Sequence, residues 1–225
     1  SERLRALLVL DWDDSLFPTS WLERASRPRR RDCEEDADLP KGPDDVRRLL
    51  AELAEEVEAL LSEASSCGAV VVVTLAARPW VKESVDTYMP KAAGITSGVD
   101  VCYAREVSTE KPPSGTDPWI AKKRKAMEVT FDEALGRHAA GTRCGSLISI
   151  GDSHIEARAA EALGQELAAQ GRLEHTKTVK LMKSPGPQEL MEQSLALCGS
   201  LRDIVNHPGD GHFGPGFFSP AALCH

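Results

Sequence analysis

Residues 6–10 read Ala-Leu-Leu-Val-Leu and stop at Asp11-Trp12-Asp13-Asp14-Ser15. An apolar run of this length without polar alternation is a strand covered on both faces, which requires a sheet with layers on either side. The rest of the chain repeats the theme. Val46, Leu49, Leu50, Leu53, Val57, Leu60 and Leu61 recur at helical spacing, with Asp44 or Asp45 as the cap and Gly68 as the stop. Residues 69–73 are a second apolar strand. Further helices are expected over 79–89, 119–135, 154–169 and 188–204, and further strands over 99–104, 147–150 and 178–182. Strands alternating with helices mean an α/β domain, a doubly wound, mostly parallel sheet with helices on both faces.

Residues 1–205 are expected to form this core. Residues 18–43 interrupt it as a flap-like insertion, in which a run from Arg24 to Arg31 turns at once into Asp32, Glu34, Glu35 and Asp36. Those arginines either bind an anionic group or form a solvated loop neutralised by the acids beside them, and the solvated loop is the simpler reading. Residues 206–225 hold glycine and proline without period and read as a flexible C-terminal tail.

The chain of 225 residues has 35 acidic against 27 basic side chains, a net charge of −8. Non-specific nucleic-acid binding runs on clustered cations and is not expected here. No apolar run approaches the roughly 20 residues of a spanning helix, so no membrane partner is expected. The six cysteines form no C-x-x-C pair and no zinc spacing, which suits reduced thiols in a cytoplasmic or organellar reducing compartment. The chain opens on Ser1, which leaves room for an upstream targeting segment. Oligomeric state is not legible.

In an open parallel sheet, ligands gather at the carboxyl ends of the strands. The first strand ends in Asp11 and Asp13, two positions apart and so on one side of an extended chain. The second ends at Thr74, and the fourth runs into Gly151-Asp152-Ser153 with Glu156 one helical turn on. Carboxylates converging on one crevice repel unless a hard cation sits among them, and Mg²⁺ suits such a set together with a substrate phosphate. A lysine from 122–125 can bring a positive charge to the same edge. Each acid alone reads as a helix cap or solvated turn; it is their order along one edge that points to a site. Elsewhere, His154 reads equally as a surface residue, while His207, Asp210 and His212 only faintly suggest a metal site. Trp80 and Trp119 read as packing.

These residues resemble the haloacid dehalogenase-like (HAD) superfamily over residues 4–185. Its D-x-D-x-[TVS] motif is matched by Asp11, Asp13 and Ser15, its strand-end Thr/Ser by Thr74, and its G-D-x-x-x-[DE] motif by Gly151, Asp152 and Glu156. Residues 11–22 (DWDDSLFPTSWL) and 80–90 (WVKESVDTYMP) further resemble an algal and protist branch. For the lysine motif, Lys123 fits best by its spacing to Ala126 and Met127, with Lys111, Lys122 and Lys125 as alternatives.

The resemblance implies a HAD-like Rossmannoid fold and a Mg²⁺-dependent phosphohydrolase. Asp11 is then the nucleophile, forming an aspartyl-phosphate, and Asp13 the acid and base. Asp11, the Asp13 carbonyl and Asp152 hold the metal, with Glu156 orienting the lysine or a metal-bound water. Thr74 and Lys123 bind phosphoryl oxygens, and Trp12, Asp14 and Ser153 are expected beside the substrate. The short spacings between motifs leave no room for a large cap domain. An open site of that kind suits a phosphorylated small molecule or protein. Two alternatives stand beside it: a catalytically silent HAD-like binding or assembly module, and a receiver-like phospho-acceptor domain.

Overall fold

In the computed structural model the described residues are 3–27, 40, 42–107 and 115–217. Among these, six parallel strands form one sheet: β1 (Arg3–Leu10), β2 (Ala69–Thr74), β3 (Asp100–Tyr103), β4 (Arg143–Gly151), β5 (Leu173–Lys180) and β6 (Gly211–Phe213). Their spatial order is β3-β2-β1-β4-β5-β6. The chain leaves β1 toward β2 on one side and returns to β4 on the other. The carboxyl end of β1 is therefore the switch point at which such sheets open a crevice.

Among the described residues, seven α-helices accompany the strands: α1 (Thr19–Ala25), α2 (Pro43–Cys67), α3 (Trp80–Tyr88), α4 (Ala93–Thr96), α5 (Pro118–Gly136), α6 (His154–Ala169) and α7 (Pro187–Asn206). Ala6, Leu8 and Leu10 of β1 face the core shared with α2 and α7, whereas Leu7 and Val9 face α5 and α6. That two-sided burial explains why β1 has no polar position from Ala6 onward. α2 starts on Pro43 with Asp44 and Asp45 in its first turn, where the helix dipole favours negative charge. The doubly wound architecture is thus the observed one, and no second domain is inserted between the strands among the described residues.

Four local readings change, the first being that β4 begins at Arg143 rather than 147. The flap-like insertion expected over residues 18–43 opens with the helix α1. β5 begins at Leu173 rather than 178, because pairing with β4 extends the strand through the polar segment Glu174–Lys177. The tail contributes β6, which pairs with β5 from Lys177 to Val179 and buries Phe213 against His207 and Phe217. Arg29–Arg31 and the acids after them, Lys111, Cys33 and Cys224 lie outside the described residues. Cys67, Cys102, Cys144 and Cys198 are free thiols. Among the described residues, no helix is long and apolar enough to cross a membrane.

Candidate active site

Asp11 is the first residue past β1, and its backbone N–H still donates to the Ile150 carbonyl at 2.9 Å. This continuation of the ladder fixes the carboxylate between β2 and β4. Lys123 comes up from α5, on the buried face it shares with Ala126 and Met127. Its ammonium meets Asp11 Oδ1 at 2.5 Å, the Val73 carbonyl at 2.7 Å and Glu156 Oε1 at 3.1 Å. Three acceptors use its three N–H donors. Lys125 instead pairs with Glu128 on the helix surface, so Lys123 is the lysine of this helix that reaches Asp11.

Glu156 is held from the other side. Its Oε2 accepts from the Ser153 N–H at 3.1 Å and from the Ser153 hydroxyl. A Cβ on Gly151 would lie 2.6 Å from the Glu156 Cγ, so only glycine leaves Glu156 room to turn back under the strand end. The electrostatics follow from burial. Desolvation lifts the Asp11 carboxyl to about 7 against the pull of Lys123. Desolvation also works against a charged Lys123, but Asp11 and Glu156 outweigh it and raise the ammonium above its ordinary value. Burial opposes ionisation of Glu156 as well, yet Lys123 and Ser153 hold it below the usual range.

Asp152 follows β4, with its N–H donating to the Ser15 hydroxyl at 3.1 Å and its carbonyl accepting from Lys180. No described residue hydrogen-bonds its carboxylate, nor Oδ2 of Asp11. Burial, then Glu156 and Asp14, push Asp152 up to about 6. Oxygen atoms of Asp11, Asp152 and Glu156 lie within 4.8 Å of one another. Two carboxylates with open oxygens, raised by burial in a hard-donor set, fit a small divalent cation such as Mg²⁺. Glu156 belongs to the cluster by distance, but both of its oxygens are already held by Lys123 and Ser153.

The Asp13 carboxylate lies outside that cluster and points into a cleft. It accepts from Thr19 Oγ1 at 2.6 Å, Trp80 Nε1 at 2.8 Å and Thr74 Oγ1 at 3.0 Å. Thr74 is wholly buried, and its hydroxyl also accepts from the Ala76 N–H at 2.9 Å. The cleft measures about 850 Å³ and is lined by Leu22, Arg27, Trp80, Tyr88 and Arg105 besides Asp13 and Thr19.

Three residues expected beside the substrate are otherwise employed. Trp12 is fully buried, stacks on Phe17 and donates its indole N–H to Ser84 at 3.1 Å, so it packs the core beneath the site. Asp14 sits in the left-handed region at φ 55° and accepts from the Ser20 N–H at 2.8 Å and hydroxyl at 2.5 Å, tying the loop to α1. Ser153 caps α6, accepting from the Ile155 N–H at 3.1 Å. His154 is exposed.

The faint metal site in the tail dissolves. Asp210 accepts from the Thr176 N–H, His212 bonds Thr178 and His207 lies on Phe213, all of which serve the β5–β6 edge. Thr19 and Trp80 were not read as site residues. The only signal for them lay in their order within residues 11–22 and 80–90, and their reach to Asp13 depends on tertiary packing.

No protein-family model matches the chain, and no curated protein matches it. Among solved structures, the HAD domain of effector protein Lem4 from Legionella pneumophila aligns over 91% of this chain and 98% of that one, with 16% identity and a TM-score of 0.41. The doubly wound assignment rests on the strand order and pairing seen in this chain itself.

Proposed function

We propose that this chain is a HAD-like, Mg²⁺-dependent phosphohydrolase working through an aspartyl-phosphate on Asp11. The observation that supports this most is the asymmetry of the Asp11 carboxylate: Oδ1 is pinned by Lys123 at 2.5 Å, while Oδ2 has no described partner. It sits at the switch point of the sheet, in reach of the Asp152 oxygens. A pinned carboxylate with one free oxygen is oriented for attack, which is what nucleophilic catalysis by aspartate requires.

Asp11 and Asp152, with Glu156 beside them, would hold the cation. When bound, it would supply positive charge that keeps both carboxylates ionised and lowers the repulsion between Asp11 and a phosphate. Asp11 Oδ2 forms a bond to phosphorus as the bond to the ester oxygen breaks. Asp13, positioned by Thr19 and Trp80, gives a proton to that leaving oxygen. Water then attacks the phosphorus, Asp13 takes its proton, and the acyl phosphate bond breaks to release phosphate and restore Asp11. With substrate in place, Lys123 and Thr74 would each turn a donor from Asp11 and Asp13 to a phosphoryl oxygen, while Glu156 holds Lys123 in register. The open cleft beside Asp13 admits a phosphorylated small molecule or an exposed phosphoresidue of a protein.

Hydrolysis of an aryl phosphate by the chain, with Mg²⁺ or with EDTA and beside Asp11→Asn, tests the proposal. Mg²⁺-dependent turnover that falls at least about 10³-fold in Asp11→Asn, with an unchanged circular dichroism spectrum, is expected. No turnover on any phosphate of a broad panel would favour a silent binding module. A lasting phosphoryl group without turnover would favour a receiver-like role.

A further inference from the structure

The carboxyl ends of the strands carry the acidic cluster, and the amino ends carry a collection of opposite charge. A cavity of about 390 Å³ there is lined by Arg3 and Arg5 of β1, Ser146 of β4, His175 and Lys177 of β5, and His207 past the end of α7. None of its described lining residues is acidic. In a chain of net charge −8 such a cationic hollow is not a reflection of composition.

The unusual member is Lys177. It is 0% exposed, its ammonium donates to the Val205 carbonyl at 2.8 Å, and no described carboxylate lies within ion-pairing distance. A buried ammonium without a counter-charge costs several kcal/mol, so proteins pair such groups or leave them neutral. Burial lowers the Lys177 pKa, with Asp210 opposing only in part. Asp210 itself is engaged with the Thr176 N–H at 2.7 Å.

Glu174 is paired to Arg3 at 2.6 Å. Arg5 reaches only a neutral acceptor, Asn206 Oδ1 at 2.8 Å. The Arg3 guanidinium is let in by Gly145, where a Cβ would come within 2.7 Å of it. Arginine forks beside a lysine point charge are the donor set that recognises tetrahedral oxyanions, and the volume is within the range of small-molecule sites.

We propose that this cavity binds a small phosphate-type oxyanion, with Lys177 as the buried counter-charge and Arg5 and His175 closing over it from the rim. The site is independent of the reaction proposed for the opposite edge.

Isothermal titration of the full chain in EDTA with pyrophosphate tests it, with ADP run in parallel to separate a free from a nucleoside-borne diphosphate. A single binding event is expected, weakened about tenfold by Arg5→Gln, the equivalent of one charged hydrogen bond. It should be lost in Lys177→Met and unchanged in Thr74→Ala at the far edge. Arg5 is exposed, so its variant keeps the test valid if Lys177→Met fails to fold. Absence of binding of either probe at about 10 mM overturns the proposal, since that corresponds to under about 3 kcal/mol. Equal affinity in wild type and Arg5→Gln, or binding lost in Thr74→Ala, overturns it as well.

Discussion

Lys123 and Lys177 are both buried, at 1% and 0% exposure, yet they sit at opposite edges of the sheet in opposite company. Lys123 has two carboxylates and a carbonyl around its ammonium. Lys177 has one carbonyl. Burial disfavours the charge in both, but the partners reverse the outcome, raising one pKa and lowering the other. Burial of a cation therefore says little by itself. The acceptor set decides whether the lysine is a fixed charge inside an ion-pair network or a buried cation without a described carboxylate partner.

The sharpest way to break this contrast is to remove each lysine in turn. Lys123→Met strands Asp11 and Glu156 as buried carboxylates, and a loss of about 3–5 kcal/mol in urea unfolding is expected, together with loss of any Mg²⁺-dependent turnover. A smaller effect separates the two edges by pH. Asp11 and Asp152, raised to about 7 and about 6 mainly by burial, hold protons in the fold more tightly than in the unfolded chain. In EDTA, stability should therefore rise as pH falls from 8 to 5, by on the order of 2 kcal/mol and mostly from Asp11, because solvent reaches Asp152. Saturating Mg²⁺ should flatten that dependence, read by thermal melts at each pH. The smallest change is expected for Lys177→Met. Replacing a cation that has no ion-pair partner among the described residues with an apolar chain of similar length should leave anion-free stability within about 1 kcal/mol or raise it. A loss as large as that of Lys123→Met would erase the distinction between the two lysines.

The acidic edge was legible because its signals are local. β1 from Ala6 onward is an unbroken apolar run, the last residues of β4 are largely apolar, and both run into acids, so a strand end fixes where the next carboxylate lies. Lys123 was legible only as one of several, since a run of basic residues on a helix gives several cations and only packing shows which of them faces inward. Thr19 and Trp80 were not legible as partners of Asp13, because both depend on how α1 and α3 lie over the loop after β1. The opposite edge was hidden for a different reason. Glu174-His175-Thr176-Lys177 has no apolar pattern, and only pairing with β4 and β6 makes it a strand that buries a lysine. Trp12, Asp14 and Ser153 stand close in sequence to the site acids, and only packing shows that they also serve as a core residue, a loop tie and a helix cap.

The central claim is that Asp11 becomes covalently phosphorylated. In Asp13→Asn, a nitrophenyl phosphate needs no acid to expel its leaving group, but the water of the second step has lost its base, so the intermediate should accumulate. Acid-quenched peptide mass spectrometry of that variant with Mg²⁺ is predicted to find a phosphoryl group on the peptide carrying Asp11, absent when Asp11→Asn is added. A phosphoryl group on another residue, or turnover that survives Asp11→Asn, would contradict the account.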